Sequence, residues 1–156
     1  MSSNVSVVRQ IAWLALIPQF LFALVLIFIY HQLRFPDPPF YGLVTYLIIS
    51  FSVRTIIPHS HNKGMRYVKK DKFAEAIPCF EKSYTFFTRY NWVDKYRYIT
   101  LLSSSSMSYR EMSLTNIALC YSQLGDAIKA KEYYEITLEE FPGSEIAKSG
   151  LSLLVK

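Results

Sequence analysis

His59 and His61, two residues apart, are the nearest this sequence comes to a metal site. Zinc requires three or four ligands converging on one point. No third ligand from Cys, Asp or Glu stands near the pair, so both read as interfacial histidines. Cys79 and Cys120 form no CxxC and read as small buried hydrophobes in a reducing compartment. The chain has no glycine-rich phosphate loop, no HExxH and no GxSxG. Without a convergent acid, base, nucleophile or metal set, the residues speak against an enzyme and against any cofactor. Gln19 is the only amide in a long apolar stretch, and it is expected to bond Thr45, Ser50 or a backbone carbonyl, an interaction worth about 1 kcal/mol in a membrane.

The elements around these residues divide the chain in two. Ile11 to Tyr30 runs for twenty residues without a charge, and Phe40 to Ile57 for eighteen with only Arg54. Each is long enough to cross a hydrocarbon core of roughly 30 Å as a helix. A cleaved signal fits poorly: the first stretch is too long, lacks a small-x-small site and is followed at once by a second. Buried core helices fit poorly too, because the first stretch is apolar on every face. The connection from His31 to Phe40 holds three prolines, which end a helix. Residues 1–57 are therefore expected to form a two-helix transmembrane hairpin. Arg9 precedes it and Arg34 lies in its loop, whereas Arg54, Lys63, Arg66, Lys69, Lys70 and Lys72 flank or follow its second span. That excess puts both termini in the cytoplasm and His31 on the opposite side from His59. The expected location is an integral membrane, a bacterial inner membrane ahead of a eukaryotic organelle.

Residues 63–97 carry nine Lys or Arg against four Asp or Glu, while 98–156 carry five against seven. The basic groups thus crowd the membrane-proximal end rather than a recognition helix, which argues for anionic lipid and against nucleic acid as the partner. Lys63, Arg66, Lys69 and Lys70 are the expected membrane-surface residues, with Arg54 reaching the headgroups from the end of the second span.

From Asn62 onward the pattern changes to amphipathic helices with no alternating strand signal. Gly64 to Ser83 and Ala118 to Thr137 are similar to one another: a small residue, an aromatic three later (Tyr67, Tyr121), an alanine nine after that (Ala76, Ala130), then Phe80 or Tyr134. Ser108 and Glu111 form a capping box, Gly125-Asp126 ends one helix and caps the next, and Pro142-Gly143 breaks the chain again. Pro78 is expected to kink its helix.

This spacing resembles the tetratricopeptide repeat, a helix–turn–helix unit of about 34 residues. The better copy spans about 111–142, with Leu114, Ile117, Ala118, Tyr121, Gly125, Ala130, Tyr134 and Pro142 in the family's positions. A weaker copy spans about 57–90, where Ser60, Lys63 and Ser83 depart from the pattern. Between them lies an insert, about 90–109, in which residues 91–102 read as one short helix. A capping helix is expected at about 145–154. The fold class is all-α, a two-helix transmembrane hairpin followed by a short tetratricopeptide-like domain over 58–156.

The resemblance implies a protein or peptide partner held along a groove. Asn116 matches one asparagine of the family's carboxylate clamp, but His61 and Met65 replace the first repeat's lysine and asparagine, so chaperone tails are not the expected ligand. Tyr90, Trp92 and Tyr96 of the aromatic insert are candidate partner-binding residues, core packing being their other reading. The expected function is a membrane-anchored adaptor mediating protein–protein interaction. The alternative is a small subunit of a larger membrane complex assembled through the spans, and self-association stays open.

Overall fold

The computed structural model describes residues 16–154, and every regular element among them is a helix. Arg9, residues 11–15 of the first apolar stretch, and Lys156 lie outside the described residues. The chain divides into two compact units, one of residues up to Arg54 with Tyr96–Met107, the other of Thr55–Lys95 with the residues from Ser108 on.

The first unit contains α1 (Leu16–Gln32), α2 (Pro38–Ile56) and the short α6 (Arg97–Thr100). α1 ends because Arg34 adopts a left-handed conformation, φ 56°. Arg34 N–H then donates to His31 and Phe35 N–H to Tyr30, while the Phe35 ring packs edge-on against Tyr30. This is the Schellman helix end, in which a left-handed residue satisfies the last carbonyls and an apolar pair closes over the turn. α2 returns along α1. Gly42 lets the backbones meet, since a Cβ there would stand 2.9 Å from the Ile27 Cα. Polar side chains pair within the hairpin: Tyr30 with Thr45 at 2.9 Å, and the Tyr46 hydroxyl donating to Gln19 Oε1 at 3.3 Å. Gln19 thus finds a tyrosine rather than Thr45, Ser50 or a carbonyl. Apolar side chains such as Phe20, Leu47 and Phe51 face outward. Among the described residues α2 is the one helix long and apolar enough to cross a membrane, α1 being a shorter apolar helix of 17 residues.

The segment Tyr96–Met107 packs with this unit. Leu101 and Leu102 are buried, and the Arg54 guanidinium donates to the Leu102 carbonyl. Residues 91–102, expected as one helix, are two: α5 (Asn91–Lys95) belongs to the second unit and α6 to the first.

The second unit is built from two helix pairs, α3 (His59–Val68) with α4 (Phe73–Arg89) and α7 (Tyr109–Gln123) with α8 (Ala127–Glu140), followed by α9 (Glu145–Leu154). α4 packs on α7, and α9 on α8. The pairs correspond at an offset of 54 residues. Gly64 and Ala118, Ala76 and Ala130, Phe80 and Tyr134, and Ser83 and Thr137 are all buried. Small residues let the paired helices approach, and the rings fill the space between them: a Cβ on Gly64 would stand 2.8 Å from the Phe80 ring. The turns match as well. Gly125, φ 80°, and Asp71, φ 56°, both close Schellman ends. Asp126 N–H donates to Tyr121 and Gly125 N–H to Ser122; 54 residues earlier Lys72 N–H donates to Tyr67 and Asp71 N–H to Val68. The serine half of the expected capping box is present, Glu111 N–H donating to Ser108 Oγ at 3.1 Å, and so is the Asp126 cap, which accepts from Lys129 N–H at 3.1 Å. α4 contains Pro78 and runs on through it. α9 docks on Tyr134 through Ala147 and Gly150, where no side chain larger than hydrogen fits against the ring.

Candidate interaction surface

The outer face of α3 is a basic stripe. His59, Lys63 and Arg66 recur at intervals of four and three along α3, and Lys70 follows in the turn after it. Together with Tyr67 they surround a hollow of about 300 Å³ that no carboxylate lines. Lys63 lies 5.8 Å from the centre of the Tyr67 ring, within reach of a cation–π contact. Three of the four basic residues expected at a membrane surface after the second span are thereby brought together. Lys69 follows the last residue of α3 and does not line the hollow. Arg54, expected at the headgroups, is engaged with Leu102 in the first unit.

Behind this stripe the two histidines part. His59 is exposed, whereas His61 is 6% exposed, its ring set edge-on between Phe80 and Tyr109 at 5.3 Å from each. Burial pulls its pKa down to about 4, so the imidazole is neutral at physiological pH. The interfacial reading therefore fails for His61, which is a core residue of the first helix pair. No group of three or more His, Cys, Asp or Glu that could hold a metal ion occurs among the described residues. Cys120 is fully buried and its thiol is pushed up to about 12 by desolvation, an inert packing group. Cys79 is only half-buried.

The candidate partner-binding residues are dispersed. Asn116 is half-buried on α7, Tyr90 is exposed at the end of α4 against Phe86, and Trp92 projects from α5 with 60% of its surface exposed. Tyr96 is exposed too, but in the first unit. The aromatic segment divides between the two readings: Phe87 is buried and stacks on Tyr109 at 4.6 Å, while Tyr90, Trp92 and Tyr96 face outward.

Two polar constructions hold this unit together that the sequence did not reveal. Asp94 of α5 is 1% exposed and accepts from the backbone N–H groups of Tyr109 at 2.8 Å and Arg110 at 3.0 Å. A carboxylate at that place opposes the positive end of α7 and satisfies first-turn donors that Ser108 does not reach. Glu140 at the end of α8 receives the Arg110 guanidinium and the Tyr84 hydroxyl, tying α4, α7 and α8 at one point. Both join residues at least 15 positions apart, beyond the reach of any local signal.

Residues 113–135, from the middle of α7 across the Gly125 turn into α8, match the family model for the tetratricopeptide repeat. No curated protein and no solved structure matches the chain. The match supports a tetratricopeptide-type repeat in the second helix pair, and the described residues are all-α.

Proposed function

We propose that this chain is a membrane-anchored adaptor whose two tetratricopeptide copies, α3–α4 and α7–α8, present a protein-binding surface beside the bilayer. The family match over residues 113–135 carries the reading, because tetratricopeptide repeats are non-catalytic scaffolds for protein–protein interaction. The first copy is supported by its correspondence with the second at buried positions and at the turn, Asp71 standing where Gly125 stands. The anchor is supported by the apolar, outward-facing side chains of α1 and α2, and by Ile57-Pro58, which joins α2 to α3 without a flexible spacer. A partner meeting an adaptor confined to a surface gains apparent affinity through restricted diffusion rather than through new contacts.

Cysteine labelling in intact cells tests the arrangement. Asp37→Cys is expected to label from outside, and a reporter after Lys156 to lie in the cytoplasm; an exterior C-terminus would end the hairpin reading. Crosslinking in the native membrane followed by identification of neighbours tests the adaptor role. A stable hetero-complex that survives solubilisation through α1 and α2 alone would favour a small subunit of a larger membrane complex.

A further inference from the structure

The cavity at the start of α3 has the chemistry of a site for an anionic amphiphile. It has a volume of about 220 Å³, with Ile57, Phe86 and Phe87 among its walls, and Ser60, His61 and Lys82 on its polar side. Three independent features converge there. Pro58 occupies the N-cap of α3, a ten-residue helix, and supplies no side-chain cap, which leaves first-turn N–H groups without a side-chain acceptor where an anion is favoured. His61 is buried on the wall, and its Nδ1 has no hydrogen-bond partner. Lys82 is exposed at the cavity, and no carboxylate lines it. Buried polar atoms are almost always paired, so the orphaned Nδ1 marks a place where a ligand atom is missing.

Chain continuity identifies the ligand's source. The cavity begins at Ile57, one residue beyond the end of α2, the apolar helix of membrane-spanning length. We propose that this cavity takes the headgroup region of an anionic phospholipid. Its phosphate lies against the α3 N-terminus, the Ser60 hydroxyl and the Lys82 ammonium, and its first carbons lie against Ile57, Phe86 and Phe87. With the proton on Nδ1, His61 donates to a phosphate oxygen. Free phosphate would satisfy the polar side and leave the aromatic walls wet, whereas the lipid covers both; the acyl chains remain in the bilayer. This inference rests on the membrane anchoring proposed above.

The test uses the full chain in an uncharged detergent, labelled with ¹⁵N-histidine and titrated with dihexanoyl phosphatidic acid, dihexanoyl phosphatidylcholine, inorganic phosphate and a short peptide with a free C-terminal carboxylate. Phosphatidic acid is expected to shift the His61 imidazole signals saturably, and Lys82→Gln to weaken that binding about tenfold, the worth of one charge-assisted contact. Lys70→Gln, on the neighbouring stripe, is expected to leave it within about twofold, as screened attraction at a distance should. An unmoved His61 signal would overturn the proposal. So would equal effects of the two lysine substitutions, which indicate diffuse attraction; phosphate or phosphatidylcholine binding as tightly as phosphatidic acid; or tighter binding of the peptide, which would assign the cavity to a protein tail. Because the titration is made in detergent, it reads the cavity separately from the anchor, whose own failure would appear as a chain that does not fractionate with membranes.

Discussion

The two helix pairs reach the same arrangement with different residues. In α7–α8 each local choice agrees with the fold: glycine at the left-handed turn position, aspartate at the next N-cap, a serine N-cap at the start. In α3–α4 the same three places hold Asp71, an uncapped Lys72 and Pro58. Its interior is also less conventional, with the His61 imidazole where the second pair has Thr115. The first pair is thus held mainly by tertiary packing against α7, and the second by packing and helix-end chemistry together. Local agreement across levels makes a segment foldable by itself, and its absence makes a segment depend on its neighbours. Substitutions at matched positions can therefore break or sharpen the comparison.

The largest effect is expected at the rings between paired helices. Phe80→Ala and Tyr134→Ala each remove a buried aromatic, at a cost of about 3–5 kcal/mol. They differ in what else they release. Tyr134 carries the docking of α9 on Ala147 and Gly150, so its loss should raise hydrogen exchange in α9. Phe80 sits in a cluster with Ala76, Ile77, Ile117 and Cys120, so its loss should loosen α3, α4 and α7 while α9 stays protected. If both variants opened the same helices, the two pairs would be one cooperative block and the comparison would lapse.

A second difference is read by pH. Burial keeps His61 neutral down to about pH 4, while an unfolded histidine takes up its proton near 6.5. As pH falls through that window the unfolded chain binds the proton first, so the stability present above pH 6.5 is progressively lost. At pH 5 the loss from this group is about 2 kcal/mol, 1.5 pH units at about 1.4 kcal/mol each. Denaturant unfolding followed at α3–α4 should show it, and His61→Thr, which installs the second pair's residue, should flatten the profile between pH 6.5 and 5. A profile unchanged by the substitution would mean that His61 is not the group responsible.

The second pair was legible in the sequence because its signals are local. Ser108 with Glu111, Gly125 with Asp126 and the spacing of Ala118, Ala130 and Tyr134 each act within one helix–turn–helix unit. The basic stripe was half legible. Its residues were identified as a group, but the fold of α3 and the turn after it decides that Lys63, Arg66 and Lys70 line one hollow and Lys69 does not. The insert was not legible. Residues 91–102 have the composition of one helix, and only the pairing of Asp94 with the start of α7 and of Leu102 with Arg54 divides them at Tyr96. Composition marks charge and apolarity but carries no record of which distant backbone groups a carboxylate will meet. His61 was misplaced for the same reason: between Ser60 and Asn62 it reads as polar surface, and the Phe80 and Tyr109 rings that enclose it lie 19 and 48 residues away.

The smallest expected effect is the most discriminating, because it should change sign between the pairs. A left-handed backbone costs a side-chain-bearing residue of order 1 kcal/mol that glycine avoids, less for aspartate than for a β-branched residue. At Asp71, φ 56°, glycine should relieve that cost, and Asp71→Gly is expected to stabilise the chain by about 0.5 kcal/mol. At Gly125, φ 80°, the reverse holds: a Cβ would meet nothing within 4 Å, so Gly125→Ala introduces no clash and should destabilise by about 1 kcal/mol through backbone strain alone. Shifts in denaturant midpoint at unchanged slope would measure both. Opposite signs mean that the two turns share one geometry, filled well in one copy and tolerated in the other. A destabilising Asp71→Gly would mean that the carboxylate at residue 71 contributes something glycine cannot, and the two turns would then be alike in backbone only.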